Sequence, residues 1–109
     1  MRKAWPMEKV YGRSHPRITA KVGEAFILEL EANFTTGYQW KLIPDSAKVH
    51  VADEQMLPGG PGVGARGRQR FRVEVRSPGA YALRAEYRRS WETEPREQLV
   101  FEIDVRPSG

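Results

Sequence analysis

The chain has 109 residues and carries 18 Lys plus Arg against 14 Asp plus Glu, a net charge of +4. A single domain of this length buries roughly 65% of its unfolded surface, enough for one core without staples. It contains no cysteine, which excludes a disulfide frame, a thiolate metal site and a cysteine nucleophile, and leaves the redox compartment open.

Residues 1–16 read as a polar, Pro-interrupted, flexible leader and residues 17–107 as one β domain. The first eleven residues lack the apolar h-region of a signal peptide. The compartment stays open: cytosolic, or periplasmic or secreted after removal of a leader. No apolar run approaches the length of about 18 residues that a membrane span needs, so no membrane partner is expected. The basic excess favours an acidic partner surface.

The chain then breaks into short alternating runs between Gly and Pro turns, the pattern of an antiparallel sandwich. Residues 17–21 form a first strand, and residues 24–30 a second with Phe26, Leu28 and Leu30 on one face and Ala25, Ile27 and Glu29 on the other. Residues 38–43 form a third, stopped by Pro44-Asp45-Ser46, and residues 48–52 a weak fourth. Residues 53–67 read as a long irregular connection rich in Gly and Pro. Along residues 68–76, Phe71, Val73 and Val75 point inward and Arg70, Arg72, Glu74 and Arg76 outward, where a half-buried strand carries its charge. Tyr81, Leu83, Ala85 and Tyr87 line the next strand; Leu99, Phe101, Ile103 and Val105 complete the core. Seven or eight strands at this spacing define an all-β, immunoglobulin-like antiparallel sandwich.

Three connections carry the informative residues. In Asn33-Phe34-Thr35-Thr36-Gly37-Tyr38-Gln39-Trp40, Asn33 can close an Asx-turn and Gly37 can take positive φ. The threonines between them are stiff at χ1. Tyr38 and Trp40 then alternate as strand residues, with Trp40 in the core position that many sandwiches fill with tryptophan. The second connection ends in Gly64-Ala65-Arg66-Gly67, four residues before Phe71. The third, Tyr87-Arg88-Arg89-Ser90-Trp91-Glu92, sets a tryptophan among charges, where it serves better as a binding anchor than as core. Alternate connections of a sandwich cluster at one end, so the three are expected at one pole.

Taken in order, these runs resemble the three contact loops of the chagasin family, inhibitors of papain-like cysteine peptidases. The first matches its Asn-Pro-Thr-Thr-Gly-aromatic-x-Trp run with Phe34 for proline. The second matches Gly-x-Gly-Gly with Arg66 for glycine, and the third Tyr-x-Arg-Pro-Trp with Ser90 for proline. The resemblance spans about Arg17 to Val105. It implies a monomeric, reversible, competitive inhibitor whose loops fill a peptidase cleft. Asn33, Phe34, Thr35, Thr36, Gly37 and Tyr38 would lie over the catalytic Cys-His pair, with Thr35 and Thr36 nearest it. Gly64, Ala65, Arg66 and Gly67 would run along the non-primed side, and Arg89, Ser90 and Trp91 would pack on the primed side. Phe34 is expected as an apolar contact with the cleft, so Phe34→Pro should raise the melting temperature yet weaken inhibition.

Other functions fit less well. His15 and His50 are the only histidines, and no Ser-His-acid order, carboxylate pair or ligand cluster supports catalysis, a cofactor or a metal. The Gly-rich stretch lacks the Lys-Ser/Thr and helix of a phosphate cradle. Nucleic acid is not an expected partner, because the aromatics beside the arginine-rich strand alternate inward. The alternative is an immunoglobulin-like protein-binding or adhesion module without inhibitory activity.

Overall fold

Apolar side chains at every second position give each strand one face to bury, and two such faces cover each other. The computed structural model describes residues 8–59 and 66–107. Among these are eight strands: β1 (Val10–Tyr11), β2 (Arg17–Lys21), β3 (Phe26–Ala32), β4 (Gln39–Pro44), β5 (Val49–Leu57), β6 (Gly67–Val75), β7 (Gly79–Arg88) and β8 (Glu97–Arg106). One sheet has the order β1-β3-β6-β5 and the other β2-β8-β7-β4. Pairing is parallel for β1 with β3 and for β2 with β8, and antiparallel elsewhere. This is the immunoglobulin-like sandwich expected. No helix among the described residues is long and apolar enough to cross a membrane.

The core lies between the sheets. Leu28, Phe71, Val73, Leu83, Phe101 and Ile103 are each at most 2% exposed. Burying a side chain of this kind contributes about 1.5–3 kcal/mol. The outward arginines of β6 form a charged face, as their alternation indicated. Arg70 donates to Glu29 at 2.7 Å, and Arg72 to Glu8 at 2.9 Å and to Glu74 at 3.1 Å.

Three boundaries differ from the sequence reading. The first concerns the described part of the leader, residues 8–16, because β1 pairs Val10 with Ile27 and Tyr11 with Leu28. Tyr11 packs edge-on against Phe26 with centroids 5.8 Å apart. Arg13 reaches Glu97 at the start of β8, and this contact holds the Glu97 carboxyl below its ordinary range and raises the Arg13 guanidinium. Residues 10–17 pass from an edge of one sheet to an edge of the other, so they close one side of the sandwich.

The second is β3, which starts at Phe26 rather than residue 24. Gly23 turns at φ 79°, and the Glu24 N–H donates to the Lys21 carbonyl at 3.0 Å. The third is the weak strand, which runs on to Leu57 and shortens the long connection to residues 58–66. Its register shifts between Val51 and Asp53. The bulge moves Glu54 and Met56 into line with Phe71 and Gln69. Both are exposed, and Glu54 lines a cleft of about 420 Å³ into which this part of the inner face opens. A polar residue in the inward phase erases the alternation that betrays a strand.

Candidate functional site

The β3–β4, β5–β6 and β7–β8 connections leave the sandwich at one end. Ala32 faces Gly67 across β3 and β6, and Gln39 faces Arg88 across β4 and β7. The three expected loops therefore meet, as far as they are described. Gly64 and Ala65 lie outside the described residues.

The first loop is a short 3-10 turn over Phe34–Thr36, with Asn33 as its N-cap and Gly37 as its C-cap at φ 81°. Asn33 organises it. Its Oδ1 accepts from the Thr35 backbone N–H at 3.3 Å and from Thr35 Oγ1 at 2.6 Å. Its carbonyl accepts from Thr36 Oγ1 at 2.8 Å. Each threonine hydroxyl thus spends its one proton inside the loop, and outward it offers only a methyl group and oxygen lone pairs. The Asn33 N–H itself donates to Tyr87 Oη at 2.9 Å, tying the turn to β7.

The third loop braces the first. Arg89 Nε donates to the Thr36 carbonyl at 2.9 Å, and its guanidinium lies 4.5 Å from the Tyr38 centroid and 5.8 Å from that of Trp91. Tyr38 is buried and stacks on Tyr87 at 5.2 Å. A Cβ on Gly37 would meet Trp91 Cη2 at 3.4 Å, so Trp91 leans over the turn. It does so from outside, since Trp91 is 72% exposed while Trp40 is 3% exposed. The two tryptophans take the opposite positions that their sequence contexts indicated. Ser90 is exposed beside them.

Phe34 behaves differently from the expected cleft contact. Its ring is half-buried against the core and lies over Gly67, where a Cβ would come within 2.7 Å of Phe34 Cε2 and 2.6 Å of the Leu57 carbonyl. Gly67 is therefore a glycine because the ring and the β5 backbone take its side-chain space. Phe34 also begins the 3-10 turn, a position whose backbone accepts proline. Proline there would gain about 0.4–1 kcal/mol through the unfolded chain. Removing a fully buried Phe ring costs about 3–5 kcal/mol, and even half of that exceeds the gain. Phe34→Pro is now expected to lower the melting temperature. Gly67→Ala is expected to destabilise by about 1–3 kcal/mol through overpacking. Denaturant melts of both variants check this, and a Phe34→Pro protein melting above the parent would contradict it.

The sequence reading missed Gln69, which is 0% exposed on β6. Its Nε2 donates to the Trp40 carbonyl at 2.9 Å, and its Oε1 accepts from the Trp40 N–H at 2.8 Å. The side-chain amide acts as a neighbouring peptide for β4, an edge strand of its sheet. The signal was present, since Gln69 continues the inward phase of Phe71, Val73 and Val75. Among the described residues no three His, Cys, Asp or Glu side chains gather as metal ligands do.

The geometry is that of a protein-binding module, a rigid sandwich carrying a braced loop cluster at one pole. The sequence profile of the Chagasin family peptidase inhibitor I42 matches residues 19–105, and the chain belongs to that family, whose members are inhibitors rather than enzymes. It is 31% identical over 80 residues to chagasin of Trypanosoma cruzi, covering 68% of this chain and 73% of the relative. The fold matches the crystal structure of the cysteine protease inhibitor EhICP2 from Entamoeba histolytica with a TM-score of 0.77 at 17% identity, over 94% of this chain and all of the other. It also matches PbICP-C, solved in complex with falcipain-2, with a TM-score of 0.59 at 20% identity over 92% of this chain and 99% of the other.

Proposed function

We propose that this protein inhibits papain-like cysteine peptidases reversibly and competitively, by filling their substrate cleft with the three-loop pole. The family supports the class of target. The observation that carries the mechanism is the state of the carbonyls in the first loop. Asn33 O accepts from Thr36, Phe34 O accepts from the Gly37 N–H at 3.1 Å, and Thr36 O accepts from Arg89. A peptidase cleaves a bond whose carbonyl is delivered in attack geometry to its nucleophile. Here three of the four carbonyls from Asn33 to Thr36 are held by donors of the inhibitor itself, and the fourth, that of Thr35, is carried on a backbone coiled into a 3-10 turn rather than extended as a substrate. The loop can thus occupy the catalytic centre without becoming a substrate. Because Asn33, Gly37 and Arg89 hold it in place beforehand, little conformational entropy is lost on binding.

Thr35 and Thr36 are assigned to the catalytic Cys-His pair, Arg66 with the preceding Gly64 and Ala65 to the non-primed side, and Ser90 and Trp91 to the primed side, while Gly67, buried beneath Phe34, supports the first loop from below. Arg89 supports the first loop as much as it faces the partner. Steady-state kinetics against papain with a small peptide substrate tests the proposal. A rise in KM at constant kcat, with intact inhibitor recovered after long incubation, is expected. Stoichiometric cleavage between Thr35 and Thr36 would refute the mechanism, and absence of any inhibition would favour the adhesion module.

A further inference from the structure

Arginine is neutralised almost everywhere on this molecule. From Arg13 beside β8 to Arg106 at its end, every described arginine but two has a carboxylate oxygen within 3.7 Å. Among the described residues the exceptions are Arg89 and Arg96, and both sit at the loop pole. They share one aromatic ring, since the Arg89 guanidinium lies 4.5 Å and that of Arg96 5.5 Å from the Tyr38 centroid. The ring is fixed by its stack on Tyr87, and the backbone N–H of Arg96 is fixed by the Tyr87 carbonyl at 2.8 Å.

Between the loops these groups line a recess of about 220 Å³, together with Arg66, Asn33 and Thr36. No carboxylate lines it. Arg66 is held only loosely by Glu31, at 3.7 Å with both side chains more than 60% exposed (67% and 69%). Like charges beside one ring repel each other, and among the described residues these are the two guanidiniums left without a carboxylate partner, the Glu92 carboxylate being bonded to the backbone N–H of Arg89. Arg89 has one donor committed to Thr36, whereas no described group accepts from the Arg96 guanidinium. Its fork is free to take a carboxylate in the two-point geometry that guanidinium favours.

We infer that this recess receives an acidic side chain from the rim of the partner peptidase's cleft, and that Arg96 is a specificity-determining residue that selects peptidases carrying one. The inference rests on the inhibitor reading above and adds a requirement on the target. Arg96 belongs to none of the three loop motifs, and Arg66 is a departure from one of them, so this chain would prefer acidic-rimmed peptidases more strongly than the motifs require. Stacking on Tyr38 holds Arg89 and Arg96 in place before the partner arrives, and exposed charge of this kind also speeds encounter.

The test is a double-mutant cycle on the full chain. Inhibition constants and association rates of the parent, Arg96→Gln and Arg96→Lys are measured between low and high salt. The targets are a papain-like peptidase with an Asp or Glu on that rim and its acid-to-amide variant. Arg84→Gln, which removes an ion-paired arginine far from the pole, is the control. Arg96→Gln is expected to weaken inhibition of the acidic enzyme about tenfold or more, as loss of a hydrogen bond between charged groups does. It should also flatten the salt dependence and leave the melting temperature unchanged. Arg96→Lys should keep the salt dependence and recover part of the affinity. Against the amide variant of the peptidase, Arg96→Gln should change little. A parent that inhibits both enzymes equally, or additive effects of the two substitutions, would overturn the recess assignment while leaving the inhibitor reading intact. A parent that inhibits neither would overturn both.

Discussion

Trp40→Ala is expected to unfold the domain or bring it close to unfolding, whereas Trp91→Ala should leave its stability nearly unchanged and weaken binding. Trp40 is 3% exposed, and its ring packs against Tyr87 with centroids 4.8 Å apart. Its Nε1 donates to the Glu31 carbonyl at 2.7 Å, pinning the end of β3 where the first loop departs. Truncating a buried tryptophan costs about 3–5 kcal/mol before the orphaned carbonyl is counted. That is a large share of the roughly 5–15 kcal/mol that keeps a domain folded. Trp91 is 72% exposed and supports little of the fold. An aromatic anchor of this kind carries about 2 kcal/mol or more of binding energy, which is roughly thirtyfold in affinity. Denaturant melts and inhibition constants on both variants check the two roles. Equal losses of stability would show the assignment to be wrong.

Gln69→Leu is expected to cost as much as many core truncations although it creates no large cavity. Leucine roughly fills the space but can neither donate to the Trp40 carbonyl nor accept from its N–H, bonds that now measure 2.9 and 2.8 Å. Two buried backbone groups are then left without partners, each costing about 1–3 kcal/mol. The loss falls on β4, whose first residues follow the threonine turn directly. Inhibition should therefore weaken beyond what the fraction of folded protein explains. Gln69→Glu is the informative companion, since its ionised form keeps the acceptor for the Trp40 N–H but loses the donor, whereas its protonated form can also donate to the Trp40 carbonyl. It should restore the Trp40 N–H contact only with a buried charge or a raised carboxyl pKa. Hydrogen exchange at the Trp40 amide reads the effect locally, and protection unchanged in Gln69→Leu would contradict the role given to this side chain.

The strands of the core were legible because their alternation is regular where both sheets overlap. Phe71, Val73 and Val75 on β6, and Phe101, Ile103 and Val105 on β8, sit on the face that their spacing indicated. The alternation failed where overlap ends. Past its bulge, β5 places Glu54 and Met56 on a face open to solvent, so apolar periodicity has nothing to report there. Residues 10 and 11 were hidden for another reason, since a two-residue parallel strand is too short to show a period. Tyr11 is held instead by its ring against Phe26.

At the pole, the turn chemistry of Asn33 and Gly37 followed from residue type, because only a few side chains close an Asx-turn or accept positive φ. The partners of Phe34, Arg89 and Arg96 could not be read in the same way. Each reaches across to a different loop, and contacts between loops leave no local spacing in the sequence. Gln69 lies between these cases, with a legible phase and a polar identity that pointed to an unmet backbone pair on the facing sheet.

The most direct test of the pole as a cleft-filling wedge is protection of the peptidase thiol. Papain is alkylated with a small iodoacetamide-type reagent in the presence of increasing amounts of the inhibitor, and the modified fraction is followed by mass. If the 3-10 turn at Thr35 and Thr36 covers the catalytic pair, alkylation should slow in proportion to the complex formed and stop at one equivalent. Papain already carrying a bulky, cleft-filling group on its thiol should bind far more weakly. Tight binding that leaves the thiol fully reactive, or that ignores the blocking group, would contradict occupation of the cleft.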